Sequence, residues 1–178
     1  MHHHSTITVL AAAVLLSACA STPTFDQQAL PAAVQVPAGH KVAMETVGAG
    51  DITYECKIKK DTTDQYEWTF IGPDAQLTDR GGMNVGKYFG PPATWHSNDG
   101  SRVTATQIAV AHAGAGNIPF QLVMANPAVG SGAMNGVSYI QRVATRGGVA
   151  PAAPCGAASA GATQKVPYQA DYIFWKVA

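Results

Sequence analysis

The strongest constraint on the fold is a period-two alternation that recurs along the chain. From Asp51 to Lys59, the apolar residues Ile52, Tyr54, Cys56 and Ile58 alternate with Asp51, Thr53, Glu55, Lys57 and Lys59. Successive side chains of a strand point to opposite faces, so this run reads as a strand with one dry and one wet side, the pattern of antiparallel sheets. Tyr66, Trp68 and Phe70 alternate beyond the polar turn Lys60–Asp64, which predicts a hairpin. Ile118, Phe120, Leu122 and Met124 repeat the pattern. In Gly136–Arg146, Val137, Tyr139 and Val143 share one face, while Ser138, Arg142 and Arg146 share the other. Val166–Trp175 is apolar on both faces from Tyr172 onward, as expected of a covered or central strand.

Turn signals separate these runs. His40–Val47 reads as a first strand ending at Gly48-Ala49-Gly50, and Gly72-Pro73-Asp74-Ala75 reads as the end of the aromatic strand. Gly81-Gly82, Gly86 and Gly90-Pro91-Pro92 make the middle loop-rich. Trp95-His96 and Arg102–Ala111 are joined through Ser97–Ser101, where Asp99-Gly100 favours a hairpin turn. No segment beyond the leader keeps a helical apolar stripe. About nine short strands with turns between them predict an all-β, antiparallel sandwich or barrel-like domain.

The N-terminus carries an address. Ile7–Leu16 is an apolar run too short to cross a bilayer, which takes about 20 helical residues. It is followed by Leu16-Ser17-Ala18-Cys19, a small-residue cleavage region that resembles the bacterial lipobox. The expected organisation is a lipoprotein signal peptide over residues 1–18, an acylated Cys19 with a flexible Ser/Thr/Pro/Ala-rich tether over 19–36, and one domain over 37–178. The leader has no Lys or Arg, only His2, His3 and His4, which read as a weakly basic segment. Several acyl chains, at about 0.8 kcal/mol per buried CH₂, would hold the protein stably on a membrane. Ala20 after the cysteine favours, by resemblance to lipoprotein sorting rules, the outer membrane facing the periplasm over the inner membrane.

Export bears on the two remaining cysteines. In an oxidising compartment Cys56 and Cys155 are expected to form a disulfide. Closing a loop of about 100 residues would stabilise the fold by roughly 4–5 kcal/mol in the chain-entropy model. Charged residues make up 12% of the chain and balance to zero, so the basic footprint of a nucleic-acid binder is missing.

Catalytic patterns are absent from the sequence. No serine has the glycine spacing of a nucleophile elbow, and no glycine cluster ends in the Lys-Ser/Thr of a phosphate loop. His40, His96 and His112 show no metal-ligand spacing, so neither a metal nor another cofactor is expected. His96 with Asp99 is the nearest approach to an acid/base pair, and a turn role for Asp99 is the simpler reading. Trp68, Trp95 and Trp175 read as core residues before pocket residues. Arg142 and Asp171 are charges within the last two apolar strands; they are expected to form a structural ion pair, with ligand binding as the alternative.

An ordered series of short motifs resembles the exported bacterial and fungal family called domain of unknown function 3455. It comprises Val36-Pro37-Ala38-Gly39-His40-Lys41, Tyr54-Glu55-Cys56, Gly90-Pro91-Pro92-Ala93-Thr94-Trp95 with Ser97-Asn98-Asp99-Gly100-Ser101, and Asn117-Ile118-Pro119. It closes with Gly136–Arg142 and Gly147–Pro151 leading to Tyr168-Gln169-Ala170-Asp171-Tyr172. His96 stands where the family has an acidic residue, which argues against a general catalytic role there. The resemblance implies an exported all-β domain and supplies no catalytic residues. The expectation is an envelope lipoprotein that works as a binding or structural module for an unidentified ligand or envelope component; the alternative is an envelope hydrolase acting on glycans or esters.

Overall fold

A computed structural model describes residues 25–178, so the signal peptide and Cys19 lie outside the described residues. Eight strands follow one another: β1 His40–Ile58, β2 Tyr66–Thr78, β3 Asn84–Phe89, β4 Thr94–Ser97, β5 Arg102–Ala111, β6 Phe120–Ala125, β7 Val137–Gly147 and β8 Thr163–Val177. Each strand pairs antiparallel with the next, and β8 returns to pair with β1. The sheet is therefore a closed up-and-down barrel, which removes the edges an open sandwich would leave.

Two glycines explain why the strands are fewer and longer than the turn signals suggest. Gly48-Ala49-Gly50 reads as a strand end, yet β1 runs straight through it. A Cβ at Gly48 would press into the Tyr172 ring, and one at Gly50 would overlap the backbone of Asp74. These glycines serve close approach inside a sheet bent into a barrel. Likewise β2 continues through Gly72-Pro73. The loop-rich middle also holds a strand, β3, which places Tyr88 opposite Trp95 of β4.

The interior is aromatic. Tyr88 stacks on Trp95 with centroids 4.6 Å apart, and Tyr172 packs against both at 4.9 and 5.7 Å. The hydroxyls of Tyr168 and Tyr172 lie 3.2 Å apart, and Tyr54 donates to the Gly148 carbonyl at 2.7 Å. Phe174, Ile140, Val123, Leu77 and Met134 complete the filling.

A second apolar cluster lies on the outer face, and it corrects the expected flexible tether over 19–36 for residues 25–36; residues 19–24 lie outside the described residues. The described part, from Phe25 onward, forms two 3-10 turns, Gln27–Ala29 and Ala32–Val34, and straps the outside of the barrel. Val34 and Val36 are 0% and 4% exposed against Leu122, Val143, Ile173 and Trp175. Fully burying a valine is worth roughly 1.5–3 kcal/mol, enough to hold a short segment in place. Gln141, wholly buried on β7, joins strap to barrel. Its Oε1 accepts from Trp175 Nε1 at 2.8 Å, and its Nε2 donates to the Val34 carbonyl at 2.6 Å and to Gln27 Oε1 at 3.1 Å. Gln27 in turn bonds both the N–H and the carbonyl of Val36, at 2.7 and 3.0 Å.

The strap explains the apolar pattern of β8: Tyr172 and Phe174 fill the barrel while Ile173 and Trp175 meet the strap. At the end of the barrel bearing the β1–β2, β3–β4, β5–β6 and β7–β8 connections, the loop after β7 folds back onto β1 and β2. The Cys56–Cys155 disulfide ties it there, with Cα atoms 5.6 Å apart across 99 residues of sequence. Trp68 Nε1 donates to the Ala153 carbonyl at 2.8 Å, and Cys56 exchanges backbone bonds with Gly161 and Ala162.

Gln141→Leu removes the bonds of two buried partners, Trp175 Nε1 and Val34 O. At roughly 1–3 kcal/mol for each orphaned group, the expected loss is about 2–6 kcal/mol. Urea unfolding measures it, and a loss below about 0.5 kcal/mol, the level of an ordinary surface change, would deny the strap its anchoring role.

Candidate functional site

The same end of the barrel opens into a cavity of ≈ 190 Å³ on the side the β7–β8 loop leaves uncovered. Five strands, β2, β3, β5, β6 and β7, and the β3–β4 turn contribute to its wall. Phe70 and Pro73 come from β2, Tyr88 from β3, Pro91 and Ala93 from the turn, and Val123 from β6. Phe70, Pro73 and Pro91 make one side apolar, and Tyr88 connects the cavity floor to the aromatic stack below. The polar groups come from three neighbouring strands: Gln107 on β5, Gln121 on β6 and Arg142 on β7.

Register places these three on the inner face. Arg142 lies opposite Gln121 on one side and opposite the core residue Tyr172 on the other. Gln107 lies opposite Val123, another core residue. Gln121 Nε2 donates to Gln107 Oε1 at 2.6 Å. Arg142 donates through Nε and Nη2 to the Pro119 carbonyl, at 3.2 and 2.9 Å. It thereby pins the end of the β5–β6 connection, as does Thr145 Oγ1, which donates to the Ile118 carbonyl at 2.7 Å.

Arg142 forms no ion pair among the described residues; the three pairs found there are Lys57–Glu55, Arg80–Glu45 and Arg80–Asp171. Its charge is felt by the barrel phenols. Burial pushes Tyr54, Tyr88, Tyr168 and Tyr172 above the ordinary tyrosine range, and in each the positive charge of Arg142 opposes that rise. The phenols are thus held neutral beneath a cationic mouth.

The expected Arg142–Asp171 ion pair does not form. Asp171 sits opposite Val143, on the outer face, whereas Arg142 points to the inner face. Asp171 Oδ2 instead meets Arg80 Nη1 at 2.8 Å, and Arg80 also grips Glu45 Oε2 through Nη2 at 2.8 Å and Nε at 2.9 Å. This triad ties the β2–β3 turn to β1 and β8. Sequence gave no signal for Arg80, which lies in a Gly-rich turn.

The other candidates are dispersed. His40 is on β1, His96 on β4 and His112 in the β5–β6 connection. Asp99 accepts from Ser101 Oγ at 2.6 Å, from Ser101 N at 2.9 Å and from Ala133 N at 2.7 Å. Those donors hold its carboxyl well below the usual carboxylate range, and the residue braces two turns at the end of the barrel opposite the cavity. Trp95 and Trp175 belong to the inner and outer clusters, and Trp68 holds the β7–β8 loop. Gln107 and Gln121 escaped sequence reasoning because a lone glutamine in an alternating strand looks like a solvent-facing position.

Two double-mutant cycles distinguish the observed pairing from the expected one. Arg142→Ala and Asp171→Ala should add within about 0.3–0.5 kcal/mol, as independent sites do. Arg80→Ala and Asp171→Ala should couple by up to about 1 kcal/mol, the range for a partly exposed pair. Strong coupling in the first cycle, read by denaturant unfolding, would contradict the placement of Arg142 inside the barrel.

No curated protein and no solved structure matches the chain. A family model described as protein of unknown function (DUF3455) matches residues 37–176, from just before β1 to the penultimate residue of β8. The match takes in every strand of the barrel and the whole mouth, and the chain belongs to this family.

Proposed function

We propose that the protein is a lipid-anchored envelope protein whose barrel binds a small molecule at its open mouth. The observation that carries the binding reading is the mouth itself. A closed barrel otherwise filled with side chains opens at one end into a concave site, with apolar walls and three convergent polar groups, Gln107, Gln121 and Arg142. Such sites are where small eight-stranded barrels take ligands. The cavity lies below the usual range of about 300–1,000 Å³ for drug-sized ligands, so it suits a small molecule or one group of a larger one.

The address rests on Ile7–Leu16 and the lipobox-like Leu16–Cys19. The Cys56–Cys155 disulfide suits an oxidising compartment. Ala20 supports the outer membrane facing the periplasm. The described strap begins at Phe25, which leaves only a short span between the barrel surface and an anchor at Cys19. On this reading the barrel sits close to its membrane. Hydrolysis of glycans or esters has less support, because among the described residues the cavity lining includes no Ser, Cys, His, Asp or Glu to act as nucleophile or base.

Two readouts on the full-length protein test the proposal. Mass spectrometry of the membrane fraction should find an acylated N-terminal Cys19, with Cys19→Ala released and unacylated. A fragment panel spanning neutral, anionic and cationic molecules should perturb the NMR signals of Gln107 and Gln121, and Ala105→Leu, which fills the mouth from its β5 wall, should suppress the effect. Turnover of envelope esters or glycans, or fragments that perturb only sites away from the mouth, would overturn the binding reading.

A further inference from the structure

We infer that the mouth selects a small carboxylate carried on a short aliphatic or aryl body, with Arg142 as the residue that recognises the carboxylate. The inference rests on the reading of the mouth as a ligand site and adds the chemistry of the ligand.

Arg142 is a half-buried cation on the inner face of the barrel, and the only acceptor bonded to it among the described residues is one backbone carbonyl, Pro119 O. A guanidinium taken partly out of water without a counter-ion is costly, and an anion offsets that cost. Nε and Nη2 are engaged by Pro119, while Nη1 has no acceptor among the described residues. Guanidinium N–H groups match a planar carboxylate well. Among the described residues no acidic side chain lines the cavity, so a cationic ligand would meet repulsion with no compensating partner.

Gln121 spends one N–H on Gln107 Oε1, which leaves the Gln107 NH₂ and the second Gln121 N–H as donors. Gln121 is the direct cross-strand neighbour of Arg142, so the amide pair adjoins the guanidinium on the same inner face. A carboxylate has two oxygens for two such donors. Singly charged, it is matched by one arginine, whereas a dianion such as a phosphate monoester would bring a second charge against Phe70, Pro73 and Val123. These apolar walls and the Tyr88 ring fit a hydrocarbon chain or flat ring.

The test uses two matched sets on the full-length protein: phenylacetate, phenylacetamide and phenethylamine, and hexanoate, hexanamide and hexylamine. Calorimetry and NMR of the Gln107 and Gln121 side-chain amides report binding. The carboxylates should bind about tenfold or more tighter than the amides, and the amines should bind most weakly. Arg142→Gln should weaken the carboxylates about ten- to hundredfold and leave the amides unchanged, with Arg142→Lys retaining part of the preference. The wild-type series stands even if a variant folds poorly, and Gln107→Leu gives a second variant, expected to weaken the carboxylates more than the amides. Equal binding of acid and amide, or a preference that survives Arg142→Gln, would overturn the carboxylate assignment and leave the mouth as a site. If no probe of any charge perturbs the mouth, the assignment and the ligand-site reading fail together.

Discussion

The seam between β1 and β8 is the contact on which the rest of the molecule depends. It runs from His40–Val177 to Glu55–Thr163, and it converts a meander of strands into a closed wall. Closure at this seam brings the Tyr172 ring of β8 against the backbone of β1, where Gly48 provides the room; Gly50 does the same for the backbone of β2 on the other side of β1. The Tyr172 ring then occupies the centre, where it meets Tyr88 and Trp95 from the far side of the barrel. Without the seam there is no inside, and an inward Arg142 would be one more solvated surface charge.

Strand alternation is the part of the fold that the sequence displays openly. The hairpin of β1 and β2, the turn between β4 and β5 and the pairing of the last two strands are all legible in it. Which face looks inward is not. On β6, Phe120 and Leu122 look like core residues, but they face outward against or near the strap, while Gln121 and Val123 face the barrel interior. On β7 the drier-looking face, with Tyr139 and Val143, is likewise the outer one, and the face with Ile140 and Arg142 is the inner. The inversion has a physical cause. A segment composed like a tether covers the outside, and Gln141 with Gln27 satisfies the polar groups that this contact buries. Composition reports the polarity of the strap's residues but says nothing of that complementary network.

The same inversion hid the site. Arg142 was visible as an odd charge in an apolar strand, and the natural partner by position, Asp171, lies through the wall of the barrel from it. The carboxylate is taken by Arg80, whose turn is folded against β1 and β8. This leaves a cation above four neutral phenols at the mouth, bounded by a loop that a disulfide, Trp68 and Tyr54 hold down on the opposite side. The architecture separates stability from recognition: the strap, the aromatic stack and the Arg80 triad hold the barrel, while the mouth keeps polar groups whose partners are not all protein.

Native-state hydrogen exchange across the β1–β8 seam tests this account most directly. If closure governs the fold, the seam amides around Gly48, Ala170 and Tyr172 exchange only through global unfolding, with protection equal to the unfolding free energy. The short β3 and β4 at the mouth should open more readily. Seam amides that exchange through a local opening well below the global free energy, with β3 and β4 more protected, would contradict it.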